Sequence, residues 1–90
     1  MNYQALGEYH AYKKQAEDAA NTRFAMLHNL SMLAGNLAKN PAKMADFAEI
    51  HESVKQIEAA DDEMNAAIDK ANQAAPLCGE KTISAEMFTR

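Results

Sequence analysis

The groups best equipped for chemistry in this 90-residue chain are three histidines, one cysteine and thirteen carboxylates, and their spacing limits what they can do. His51 stands among Glu49, Glu52 and Glu58, and His10 follows Glu8. A di-metal carboxylate bundle needs inward glutamates and Glu-x-x-His pairs, one helical turn apart, to close a coordination sphere. No such pair occurs, and neither does HExxH or CxxC. Cys78 follows Pro76-Leu77 in a segment that reads as a loop, with nothing nearby to activate a thiolate. Ser31, Ser53 and Ser84 lack the Gly-x-Ser-x-Gly setting of a nucleophile elbow. Gly7, Gly35 and Gly79 are too scattered to cradle a phosphate. The expectation is a chain that is not an enzyme, with no cofactor and no metal. A metal-dependent helical-bundle enzyme is the second alternative. Arg23 and Asp61 are the one pair of opposite charges that the helical pattern places on facing stripes. Their expected role is a structural seam pair that fixes register.

Nine basic against thirteen acidic groups give a net charge of −4, unevenly spread: residues 1–40 carry +1, residues 41–75 carry −5 and the tail is neutral. Phosphate backbones recruit clustered Lys and Arg, so this balance argues against a nucleic-acid partner. Lys39 and Lys43, with Asn36 and Asn40, are too sparse for such a site. A nucleic-acid-binding helical hairpin dimer using that tip is the first alternative. Asp46, Glu49, Glu52, Asp62, Glu63 and Asp69 form an acidic face expected to keep the rod soluble and to steer docking onto a basic surface. The lone Cys78 cannot make an intrachain disulfide, which suits a reducing compartment. The N-terminus lacks the basic and apolar regions of a signal peptide. No apolar run approaches the roughly 20 residues of a membrane span. The expected location is cytoplasmic.

The elements that would position these groups are helices. Of the 43 apolar residues 19 are alanine, and only eight residues are β-branched, which excludes a β-sandwich. The fold expected is all-α: a long antiparallel helical hairpin of two helices of about 35 residues with a short C-terminal helix. Helix 1 is expected at about 3–38 and helix 2 at about 41–75, with a tight turn at Lys39-Asn40. Asn40 and Pro41 suit an N-cap and first helical position, and Pro76 suits a helix end. Residues 76–90 form the C-terminal loop and a short helix starting at Ser84. On helix 2, Phe47, Ile50, Val54, Ile57, Asp61, Met64, Ile68, Ala71 and Ala75 make a heptad seam. On helix 1 the stripe is Leu6, Tyr9, Lys13, Ala16, Ala20, Arg23, Leu27, Leu30, Ala34 and Leu37, flanked by Tyr12, Ala19, Met26 and Leu33. Folding at the turn puts Leu27 near Val54, Ala20 near Asp61 and Ala16 near Met64.

A helix of 35 residues is about 52 Å long, so the domain must be a rod whose helices bury only one face of each other. Small cores of this kind need a staple, a metal or an oligomer. The stretch from Phe24 to Leu37 is apolar on most of its circumference and is expected to be covered on more than one side. Phe24, Met26, Met32 and Leu33, with Met87 and Phe88 of the tail, are therefore the expected protein interface. The partners expected are a second copy, giving a four-helix-bundle homodimer, and an unidentified protein. The competing possibility is that the tail folds back over this stretch. In layout, though in no specific motif, the chain is similar to small helical hairpin regulators and inhibitors from plasmids and phages. That similarity implies a small regulator or inhibitor acting by protein binding.

Overall fold

The computed structural model describes residues 2–90. It is all-helical: α1 spans Tyr3–Lys39, α2 spans Phe47–Cys78, and a 3-10 turn covers Ala85–Phe88. The two long helices pack against each other as a hairpin. The molecule measures 63 × 23 × 13 Å with a radius of gyration of 17.6 Å. A compact chain of this length would have about 12 Å, so it is a rod.

Local side-chain chemistry sets the helix ends, and it corrects three expectations. The Asn2 side chain caps α1 by accepting the Ala5 N–H at 3.0 Å. Asn40 does not cap α2, and Pro41 is not its first residue. The Lys43 N–H instead donates to the Asn40 carbonyl at 3.0 Å, so Asn40-Pro41 opens a turn. Proline's fixed φ suits the second position of such a turn as well as it suits a helix start. The working cap is Asp46, whose Oδ1 accepts the Glu49 N–H at 3.1 Å, with the Glu49 carboxylate placed in the positive first turn. The connection therefore occupies residues 40–46, and no two-residue turn joins the helices.

Pro76 does not end α2 either, and Leu77 and Cys78 are helical rather than loop. A proline forfeits one bond, here from residue 76 to the Asn72 carbonyl. Ala74, Ala75 and Cys78 are buried around it, so packing carries the helix one more turn. The stop is Gly79 at φ 74, a left-handed conformation that glycine adopts freely. The N–H groups of Gly79 and Glu80 both reach the Ala75 carbonyl, closing a Schellman-type end.

The seam is a true heptad on both helices, shifted from the expected one. On α1 the residues turned toward α2 are Ala5, Tyr9, Tyr12, Ala16, Ala19, Arg23, Met26, Leu30, Leu33 and Leu37, all buried or half-buried. On α2 they are Ile50, Ser53, Ile57, Ala60, Met64, Ala67, Ala71, Ala74 and Cys78. Half of each expected stripe is right, and the other half is displaced by one residue. Leu27 and Ala34 consequently face away from α2, whereas Met26 and Leu33, expected on the outside, face it.

Burial is concentrated at one end. The core cluster joins Ala5, Tyr9, Ala16 and Ala19 to Met64, Ala67, Ile68, Ala71, Ala74, Ala75 and Cys78, with Ile83 from the tail. Nothing between Ala20 and Ala59 is fully buried. The tail folds back on this same end. Asn72 grips the main chain of Ile83 from both sides: its Nδ2 donates to the carbonyl at 2.9 Å, and its Oδ1 accepts the N–H at 2.7 Å. The Tyr9 hydroxyl donates to the Lys81 carbonyl at 3.0 Å. Ser84 precedes the 3-10 turn without a side-chain capping bond.

Candidate protein interface

Each helix carries a second stripe beside its seam, and these flanks bound a groove along one side of the hairpin. On α2 the flank is Phe47, Val54, Asp61, Ile68 and Ala75, one residue per heptad. Its exposure falls steadily along the rod, from 67% at Phe47 and 49% at Val54 to 7% at Ile68 and none at Ala75. On α1 the matching flank is Leu6, Lys13, Ala20, Leu27 and Ala34. The first three are half-buried and the last two are exposed, Leu27 at 38%. The cause of both gradients is the tail. At the packed end Ile83 is buried in the core, and Phe88 packs against it with Leu6, Tyr12 and Ala20. The last tail residues then cross the groove where Ala20, Phe24, Asp61 and Asn65 line a cavity of about 470 Å³ with Phe88 and Arg90. The Arg90 guanidinium lies 4.4 Å from the centre of the Phe24 ring and donates to the Asn21 side chain. Beyond Phe24, none of the described residues covers the flanks.

The expected interface residues therefore fall into three places. Met26 and Leu33, with Leu30, line a cavity of about 370 Å³ between the helices, facing Glu49, Ser53 and Gln56. Phe24 and Met32 are exposed on the outside of α1, Phe24 stacked on the His28 ring at 6.1 Å. Met87 is exposed on the tail, while Phe88 is half-buried against the core. Of the stretch Phe24–Leu37 that a folded-back tail would cover, the tail reaches Phe24 and leaves Met26–Leu37 uncovered. Leu27, Val54 and Phe47 belong to the open groove and were assigned to the seam. The sequence signal that could have separated them is the second series of sevens, 26 and 33 beside 27 and 34.

Arg23 and Asp61 are brought together: Nε donates to Oδ1 at 2.8 Å. Both are about 40% exposed, so this is a half-solvated bridge at the inner end of the open groove rather than a buried pair. Among the described residues, Glu49, Glu52, Asp62, Glu63 and Asp69 make no ion pair and stand along the exposed side of α2. Lys39 and Lys43 are exposed at the tip. His10 packs edge-on to Tyr9, and His51 is exposed. Among the described residues no three His, Cys, Asp or Glu side chains gather as a metal site. Cys78 is buried, its thiol directed at the Ala74 and Ala75 carbonyls of its own helix. Among the described residues no helix is long and apolar enough to cross a membrane.

No family model matches the chain, and no curated protein or solved structure is significantly similar to it.

Proposed function

We propose that the chain is a non-enzymatic protein-binding module, a small regulator or inhibitor that docks through the open half of its groove. One observation carries this reading: the exposure gradient along both flanks, which leaves Leu27, Phe47 and Val54 in solvent on one side of a helix pair, with Phe24 next to them at the end of the tail. Contiguous apolar surface of this kind on a soluble chain marks an interaction site. A two-helix face with a groove between its flanks suits another pair of helices, so a four-helix bundle is the natural form of the complex. The unpaired carboxylates of α2 would not form the contact but would speed encounter with a basic partner, an effect that fades with salt. The lone buried Cys78 suits a reducing compartment, and the cytoplasm is the proposed place of work.

The test is partner capture by the wild type and by a Phe24→Asp, Leu27→Asp variant, with helicity checked by circular dichroism. Burying two carboxylates at the centre of an interface costs several kcal/mol, so the variant should lose capture by about a hundredfold or more. Unchanged capture by a fully helical variant would remove the groove from the binding surface.

A further inference from the structure

We infer that the occupant of the open groove is a second copy of this chain, held in an offset antiparallel dimer whose twofold axis passes close to Ser31. This rests on the docking reading above and puts a second copy in place of a basic partner, so the α2 carboxylates then give no steering. The first support is area. The chain exposes 6459 Å², against about 5,200 Å² for an ordinary folded monomer of this mass. The excess, roughly 1,250 Å², is what the rod shape adds over a sphere, and it leaves room for the ~800 Å² that each partner buries in a stable standard-size interface.

The second support is charge. From Phe24 to Ala38 the helix carries no Asp, Glu, Lys or Arg. A surface facing its own copy across a twofold axis meets like charge with like, and this stretch has none of its own to oppose; the one cation lying on it is Arg90 of the tail, over Phe24 at its end. Asp61, at the inner end of the groove, is already paired with Arg23.

Shape is the third. Phe24, Leu27, Ser31, Ala34 and Ala38 lie on one stripe of α1, large at one end and small at the other. Antiparallel pairing about Ser31 sets Phe24 against the second copy's Ala38, and Leu27 against its Gly35. Large side chains then fill the space that small ones leave, and two backbones can approach closely. Gly35 supplies an independent pointer. A Cβ placed there meets nothing within 4 Å, so nothing inside the monomer requires glycine, which costs its helix about 1 kcal/mol relative to alanine. Gly35 faces away from α2, where a second helix crossing close over α1 would use it. The offset follows from the tail, which occupies the groove from Ile83 to Arg90 and bars the incoming tip from sliding past Phe24.

The experiment combines light scattering, small-angle X-ray scattering and cysteine crosslinking on the full chain. The wild type should be a dimer with a longest dimension of about 84 Å, twice the helical distance from Ser31 to Tyr3. An in-register dimer would keep the 63 Å length of one copy. Ser31→Cys should oxidise readily to a covalent dimer, and Glu17→Cys, on the packed half, should not. Gly35→Leu should weaken self-association at least about tenfold by overpacking the crossing while helicity is kept. A wild type that stays monomeric at millimolar concentration overturns the inference, as does a 63 Å dimer or crosslinking at Glu17→Cys in place of Ser31→Cys. A photocrosslinker at Leu27 in cells separates the two proposals. Adducts only with a different protein sink the second copy and leave the docking groove standing; no adduct at all sinks both.

Discussion

The two halves of this rod use the same two helices and the same heptad rule, and only one half is finished. At the packed end three elements meet, because the tail lies in the groove, where Ile68 and Ala75 of the α2 flank are buried and Leu6, Lys13 and Ala20 of the α1 flank are half-buried. At the tip the seam is built of larger residues, Met26, Leu30, Leu33, Leu37, Ile50 and Ile57, yet every one of them stays partly in solvent. Bigger side chains do not make a better core when a third layer is missing. What buries Ile68 and Ala75 on the flank is the tail as a third element, whereas the seam alanines are small enough for two closely packed helices to cover.

The sharpest test of that contrast is a pair of truncations on one flank. Ile68→Ala should cost about 3 kcal/mol in chemical denaturation, since it empties a filled site. Val54→Ala, one heptad pair nearer the tip, should cost less than about 1 kcal/mol in the monomer because half the side chain is already in water. Equal losses would mean that the tip is covered after all. Next in size is Asn72→Ala, which removes both bonds to Ile83 and leaves that buried main chain unsatisfied. It should lower stability by about 2 kcal/mol and speed amide exchange in residues 81–88 while leaving the tip unchanged. Asp46→Ala should cost about 1 kcal/mol by uncapping α2, with fraying read by hydrogen exchange at Phe47–Ile50. The smallest effect belongs to Arg23→Ala. A half-solvated bridge contributes no more than about 0.5 kcal/mol, further reduced by salt. A larger loss would show that Arg23 fixes the register of the seam.

Helix content, hairpin topology and the Arg23–Asp61 pairing were legible from spacing alone. The seam was legible by half. Tyr9, Ala16, Arg23, Leu30 and Leu37, and on α2 Ile50, Ile57, Met64 and Ala71, belong to it on either reading. Two of the alternate members could not be chosen because residues of one type stand side by side, Ala19 with Ala20 and Ala74 with Ala75, and at Ala67 the larger neighbour Ile68 drew the stripe to itself. When neighbours are identical, hydropathy cannot say which points inward, and Met26 beside Leu27 is nearly the same case. Both prolines misled for a related reason, since the local preference of proline fits a turn and a helix start alike and its cost late in a helix is small enough for packing to override. Asn72 and Tyr9 carry no motif. Their role depends on where a segment eleven residues further on in one case, and seventy-two in the other, comes to rest.

The alanine seam reverses the usual pattern of mutational damage. Ala16, Ala71 and Ala75 have no exposed surface at all, and an alanine has almost nothing to lose by trimming. The packed end is therefore vulnerable to growth: a leucine at Ala16 or Ala71 of the seam must wedge two backbones apart, and one at Ala75 must displace what covers the flank, at a cost of about 3 kcal/mol or more. The tip tolerates bulk at the seam but not charge on its flank, if the groove is occupied. A saturation scan would then split the rod into a half that rejects size and a half that rejects polarity, and the boundary between them would fall near Phe24.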